Sequence, residues 1–330
     1  MIYDCAYDVV LDDVFLRLPG LLDGVQCFLK LEGFNPAGSV KIKTAVALVE
    51  DLESRGLLRP GGRIAESSSG SLGIALSVVC AIKKYSFTCV VDPNTSPRSV
   101  ATMRSLGARV VMVSQRDGNG GYLGTRIAAL RSMLSEDSQL VWTNQYANSA
   151  NPRAHWTRTA GAILTEFQAV DYLVVGAGTT GTLMGCAAYF RQFSPRTRII
   201  AVDSVGSVTF GHPAGPRHIP GVGTSRVPEL CRPDLVDEVV MVEEAQAVRA
   251  CRQLATGYGL LAGGSTGSVV AALGLLAGRI PADAKVVAIA PDMGERYLDT
   301  VYDDAWVAER FPDLNQAGDA GGSALALIPG

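Results

Sequence analysis

Asn35-Pro36-Ala37-Gly38-Ser39-Val40-Lys41 follows the apolar run Cys27-Phe28-Leu29-Lys30-Leu31 and leads into a stretch with helical spacing. The apolar run reads as a strand, and Pro36 with Gly38 marks a turn. Val40, Ala45, Leu48, Val49 and Leu52 then recur on one face of a helix. Ser39 is expected to cap that helix, which places Lys41 in its first turn. A cation there opposes the positive end of the helix dipole, so helix stability alone favours Asp or Glu at this position. The placement suits an amine that must be neutral and nucleophilic, because the dipole and partial burial both lower a lysine's pKa. A lone helix lysine is ordinarily a solvated one; the loops that follow give this one company.

The 330 residues suffice for about two domains, and 48% hydrophobic residues with 36 glycines fit a compact α/β chain with many tight turns. A formal net charge of -3 and the lack of a basic stripe argue against a nucleic-acid partner. No apolar run reaches membrane-spanning length, and Met1-Ile2-Tyr3-Asp4 leads into no signal-like apolar core. The 7 cysteines form no closely spaced pair and read as free thiols in a reducing cytoplasm. None of the 3 histidines has metal-ligand spacing, so no metal site is expected.

Strands are expected near 9–11 and 25–29, split by Pro19-Gly20, then at 63–66, 87–91 and 110–113. Helices are expected over 72–84, through 106, and over 122–134. After a loop at 144–152 a second series follows, with helices near 157–167, 183–193, 245–258 and 268–276. Its strands lie at 172–175, 199–202 and 285–290, and residues 204–228 form a long irregular stretch. Strands alternating with helices at this spacing mean parallel sheets, so the fold class is α/β with two αβα sandwich domains facing each other across a cleft. Residues 36–150 form the smaller domain, residues 1–35 with 151–311 the larger, and residues 312–330 a disordered tail.

Three loops carry chemistry. Glu66-Ser67-Ser68-Ser69-Gly70-Ser71-Leu72-Gly73 joins strand to helix and offers amides and hydroxyls to a carboxylate-sized anion, although a Ser-capped helix reads the same way. Gly176-Ala177-Gly178-Thr179-Thr180-Gly181-Thr182 also joins strand to helix, and its glycines let the backbone approach a phosphate. It formally matches GxGxxG, with Asp203 ending the next strand, so a dinucleotide site is the rival reading. Gly263-Gly264-Ser265-Thr266-Gly267-Ser268 places a hydroxyl at a turn, where it either caps a helix or meets a ring nitrogen. Lysine, carboxylate cradle, phosphate cradle and hydroxyl turn together specify pyridoxal phosphate, which needs all four.

Over about residues 8–311 the chain resembles the fold-type-II pyridoxal-phosphate enzymes of the cysteine synthase family, whose architecture is like that of tryptophan synthase β. The resemblance rests on Asn35-Pro36-x-Gly38-Ser39-x-Lys41, residues 66–73 and 178–182, Ser265, and Gly294-Glu295-Arg296-Tyr297-Leu298. It implies that Lys41 carries the cofactor and acts as the catalytic base. Gly178, Thr179, Thr180, Gly181 and Thr182 would bind its phosphate, and Ser265 would face its ring nitrogen. Ser71 stands where the family usually has an Asn that contacts the cofactor. Ser68, Ser69, Gly70 and Gln145 would hold the amino acid carboxylate.

Within the family, Gly120-Gly121-Tyr122-Leu123-x-Thr125-Arg126, Asn144-Gln145-Tyr146 and Ser225-Arg226-Val227-Pro228-Glu229 resemble a siderophore-type branch. That branch joins O-phospho-L-serine to L-glutamate on the way to L-2,3-diaminopropionate. A dianionic leaving group and a dicarboxylate acceptor both ask for arginine, so Arg126, with Tyr146 beside it, and Arg226 are the candidates for binding the second substrate. A cysteine synthase that takes sulfide and a non-catalytic pyridoxal-phosphate binder are the alternatives. The resemblance also implies a homodimer.

Overall fold

The computed structural model describes residues 2–68 and 70–316. A six-stranded sheet has the order β1 (Phe15–Arg17), β2 (Gln26–Leu31), β10 (Lys285–Ala290), β7 (Tyr172–Gly176), β8 (Arg198–Ser204), β9 (Glu238–Val242), parallel throughout except for β1. A four-stranded sheet, all parallel, has the order β5 (Arg109–Met112), β4 (Ser86–Val91), β3 (Arg63–Ser67), β6 (Leu140–Trp142). Central strands such as β8 are buried along almost their whole length, as sheets covered by helices on both faces require.

The smaller sheet packs against α1 (Lys41–Ser54), α2 (Ser71–Lys83) and α3 (Pro97–Ser105) on one side, and α4 (Leu123–Glu136) on the other. Between α4 and the larger sheet's strands, the chain forms α5 (Ala150–Ala154), a π-helical turn His155–Ala160 and α6 (Gly161–Phe167). One face of the larger sheet packs on α6 and α7 (Gly181–Phe193), the other on α8 (Glu244–Tyr258) and α9 (Gly264–Leu275). Two short helices, α10 (Asp304–Arg310) and α11 (Asp313–Gln316), close the described chain. No described helix is long and apolar enough to cross a membrane.

Most expected elements lie within a residue or two of their places; among those that differ, α9 starts at Gly264, four residues before the expected 268. Residues 9–11 form no strand, and β2 pairs instead with Phe15–Arg17, bringing Phe15 opposite Lys30. Strands β6, of three residues, and β9, of five, were not among those expected. The loop expected over 144–152 turns into α5 at Ala150. Asp313–Gln316 is helical where a tail is expected to begin, and the rest of that tail lies outside the described residues.

Beneath the start of α1 lies a buried ion network. Lys43 Nζ sits 2.6 Å from Glu32 and 2.5 Å from Asp12, and Lys30 Nζ 3.1 Å from Glu32, with both lysines and Glu32 fully buried. Charges removed from water at this depth are tolerated only in tight mutual contact. Lys43→Met should therefore lower unfolding stability by about 3–5 kcal/mol, since it takes one cation from two acids at once. Urea unfolding followed by circular dichroism measures it, and a loss within 1 kcal/mol contradicts the role.

Candidate active site

One cavity of about 240 Å³ opens where the C-terminal ends of β3, β7 and β10 meet the start of α1. Strand C-termini of parallel sheets are where ligands gather, because loops and helix N-termini converge there. The loop before α1 is tied by Asn35, whose Nδ2 donates to Glu32 O (2.9 Å) and Ser39 O (3.0 Å) and whose Oδ1 accepts from Ala37 N (3.0 Å). Gly38 lies at φ +60, in the left-handed region, and a Cβ there would sit 2.6 Å from Arg296 Nη2. Ser39 does not cap α1: Val40 occupies the cap with helical backbone angles, and Ser39 Oγ is buried without a partner. Instead Ser39 bridges Asp292, and Val40 N donates to Pro291 O at 2.7 Å, so α1 starts where the loop is pinned to the end of β10.

Lys41 lines the cavity. Around it lie Ser68, Gly70, Ser71, Gln145, Tyr146, Arg126, Gly178, Thr179, Thr180, Gly181, Thr182 and Ser265, so nearly all the expected residues converge. Ser69 lies outside the described residues. Ser68 Oγ accepts from Gly70 N (3.3 Å) and Gly73 N (3.0 Å), leaving its own proton free to donate. Fully buried Glu66 organises the facing loop by accepting from Ser67 N (2.7 Å), Trp142 Nε1 (3.0 Å), Thr143 Oγ1 (2.6 Å) and Gln145 N (3.0 Å). Gln145 Nε2 donates to Ser67 O at 2.8 Å, which fixes the amide beside the serines.

At the start of α7, Thr180 takes a left-handed φ of 63, uncommon for a β-branched residue, and its buried Oγ1 has no partner. Thr179 Oγ1 accepts from Asn151 Nδ2 at 3.3 Å. Thr182 Oγ1 lies 3.3 Å from Nε2 of His155, whose Nδ1 lies 3.1 Å from Thr159 Oγ1, which accepts from Lys43 Nζ at 3.2 Å. Burial, then Lys41, Lys43 and Lys30, push His155 well below the ordinary histidine range and keep it neutral. His155 Nε2 lies closer still to Thr44 Oγ1, at 3.0 Å, so Lys43, Thr159, His155, Thr44 and Thr182 form one buried polar cluster beneath the start of α7. Gly178 carries no side chain because a Cβ would lie 2.5 Å from Gly221 O. Orphaned hydroxyls on Ser39 and Thr180 and a helix N-terminus fit the phosphate end of pyridoxal phosphate.

Other cavity residues carried no expected role. Asp292, at the end of β10, accepts from Tyr297 Oη (2.6 Å) and Ser265 Oγ (3.3 Å). The Ser265 hydroxyl is thus already engaged, and must turn to meet a ring nitrogen. Arg296 donates to Ala37 O and, at 3.4 Å, to Ser71 Oγ. Arg116 and Arg217 also line the cavity. Arg226 does not: it pairs on the surface with Glu229, three residues on. Arg126 is buried with Nε 3.1 Å from Asp92, so its charge is partly met within the protein.

Residues 14–292 match the family described as "Pyridoxal-phosphate dependent enzyme". The chain is 42% identical to N-(2-amino-2-carboxyethyl)-L-glutamate synthase of Ralstonia nicotianae, over 100% of this chain and 97% of that protein. It is 45% identical to the synthase of the same name from Cupriavidus metallidurans, over 88% of this chain and 86% of that protein. Among solved structures, O-ureido-L-serine synthase superposes with a TM-score of 0.85 at 32% identity, covering 93% of this chain and 100% of that one.

Burial lowers the Lys41 pKa from 10.5 to about 8, against the opposing pull of Asp292. Desolvation disfavours the charged form of an amine, so Lys41 is mostly protonated below that value and neutral above it. In cofactor-stripped protein, Lys41 modification by a small amine-reactive reagent should climb with pH and level off above about 8. Peptide mass mapping follows it site by site, and a Lys41 profile that keeps rising past pH 10 like that of a solvent-exposed lysine contradicts the assignment.

Proposed function

The chain belongs to the pyridoxal-phosphate dependent enzymes, within the cysteine synthase family, and from that premise we propose that it replaces the phosphate of O-phospho-L-serine with the amine of L-glutamate. The product is N-(2-amino-2-carboxyethyl)-L-glutamate, a precursor of L-2,3-diaminopropionate. The observation that carries this reading is the cationic wall of the cavity. Arg116, Arg126, Arg217 and Arg296 line the space that contains Lys41, as a dianionic leaving group and a dicarboxylate acceptor require and sulfide does not. The names of the two relatives support the same product.

Bound pyridoxal phosphate supplies the electron sink that makes the substrate's Cα–H acidic and lets the β-substituent depart. The chain's residues do the rest. Thr179, Thr180, Gly181 and Thr182, with Gly178 open to close approach, would hold the cofactor phosphate, and Ser265, turned from Asp292, would meet its ring nitrogen. Ser68, Ser69, Gly70, Ser71 and Gln145 hold the substrate carboxylate. Lys41, with its lowered pKa, takes the proton from Cα and later returns it. The Cβ–O bond breaks with inorganic phosphate leaving, and the acceptor nitrogen forms the new bond to Cβ and loses a proton. Arg126 and Tyr146 receive the α-carboxylate of the acceptor. Assembly as a homodimer in the cytoplasm completes the proposal.

Purified holoenzyme given O-phospho-L-serine with L-glutamate should release phosphate and form the glutamate adduct one for one, read by mass spectrometry. Turnover with sulfide and none with glutamate would make it a cysteine synthase. Arg126→Ala should raise the KM for every amino acid acceptor at least tenfold while slowing acceptor-free phosphate release far less, an effect of about 1.5–3 kcal/mol for lost charged hydrogen bonds. Equal losses in both half-reactions contradict the role of Arg126.

A further inference from the structure

Arg217 stands on the irregular segment between β8 and β9 and lines the cavity. Among the described residues it has no carboxylate within ion-pair distance, in contrast to Arg126 beside Asp92 and Arg226 beside Glu229. Its Nε is buried without a partner, and its one hydrogen bond, Nη1 to Val222 O, is long at 3.4 Å. Of the nearby acids, Glu244 is engaged elsewhere, while Asp203 uses one oxygen and keeps a buried Oδ2 without a partner. Asp203 accepts from Ser204 N at 2.9 Å, and Glu244 accepts from His218 N (2.8 Å) and Ile219 N (2.7 Å). They hold the segment in place and offset the arginine's charge from a distance. Burial opposes that charge, while Glu244 and Asp203 uphold it.

The backbone is shaped around this guanidinium. A Cβ on Gly223, which lies at φ +82, would sit 2.7 Å from Arg217 Nη1. The segment is also fastened across the cavity mouth: Asn119 Nδ2 donates to Ser225 O at 2.7 Å, and Ser225 Oγ to Asp117 at 3.2 Å. A half-buried cation with a buried, idle donor, held on a fastened loop beside a cavity, is arranged to receive an incoming anion.

We propose that Arg217 is the specificity-determining residue for the side-chain carboxylate of the acceptor amino acid. The proposal rests on the glutamate reading above and deepens it. With Arg126 receiving the α-carboxylate, Arg217 supplies the second cation that separates a dicarboxylate acceptor from its amide counterpart. A planar fork pairs with a carboxylate in two parallel bonds, a match that a neutral amide side chain does not reproduce.

The test compares wild-type and Arg217→Gln holoenzyme in steady-state kinetics with L-glutamate and with L-glutamine, alongside phosphate release from O-phospho-L-serine without acceptor. The ratio of kcat/KM for glutamate over glutamine should fall about tenfold to a hundredfold, mainly through the glutamate KM, with phosphate release changing far less. Arg217→Lys, which keeps the charge and loses the fork, should lie between the two and serves as the test variant if Arg217→Gln does not fold. Equal loss with both acceptors would reduce Arg217 to a structural part. Slowed phosphate release with an unchanged glutamate KM would assign it to the leaving group. Wild-type enzyme that ignores both acceptors overturns the glutamate reading itself, a result distinct from either.

Discussion

Two lysines two residues apart on one helix meet opposite surroundings, and the site depends on that contrast. Side chains at i and i+2 point to nearly opposite sides of an α-helix. Lys43 is therefore driven into the protein, where Glu32 and Asp12 grip it, while Lys41 faces the cavity among hydroxyls and amides. The grip on Lys43 locks the rotation and depth of α1 against β2. Lys41 is left where burial withholds its proton and no carboxylate forms an ion pair with it among the described residues. Through Thr159 and His155 the same buried cation is also linked to Thr182. The reactive amine and the phosphate cradle thus share one electrostatic anchor.

The cavity divides its labour by chemistry. Hydroxyls and helix amides serve the ends of ligands that must be held in every turnover, and they do so without adding charge beside the amine. Arginines stand on the other walls, each differently compensated: Arg126 by an aspartate, Arg296 by a carbonyl and a hydroxyl, Arg217 by acids that do not touch it. Graded compensation of this kind sets how strongly each wall attracts an anion. Closure across the mouth by the Asn119–Ser225 and Asp117–Ser225 contacts brings a loop following β5 onto a loop following β8.

The two parallel sheets and the three loops were legible in the sequence because βαβ alternation and Gly/Ser/Thr clusters are local signals. β6, Leu140-Val141-Trp142, was too short to read, whereas β9 carries an apolar run, Val239–Val242, within a strand as long as β7 and went unread. Ser39 looked like a cap because its type and position were right, yet its backbone is taken by a bridge to Asp292, more than two hundred residues away. Arg226 and Arg217 show the same limit. Both lie in one Gly/Pro-rich stretch, and only the folded path turns one to solvent and the other to the cavity. Glu229, three residues beyond Arg226, was the available hint that its charge already had a partner. Asp292 could have been suspected from its place just past the end of β10, where such sheets present ligand-facing residues.

Gly178, Gly221 and Ser265 form a stack. The Gly178 Cα faces the Gly221 carbonyl with no room for a methyl, and a Cβ on Gly221 would lie 3.1 Å from Ser265 Cβ. The three belong to the phosphate loop, the irregular segment and the start of α9, far apart in the chain. Their fates are therefore joined over evolutionary time. A lineage that acquires a side chain at position 178 must first, or simultaneously, retreat at 221, and that retreat loosens what rests on Ser265. A side chain at 178 is therefore felt at 221 and at 265, so replacements at this corner of the site are energetically coupled.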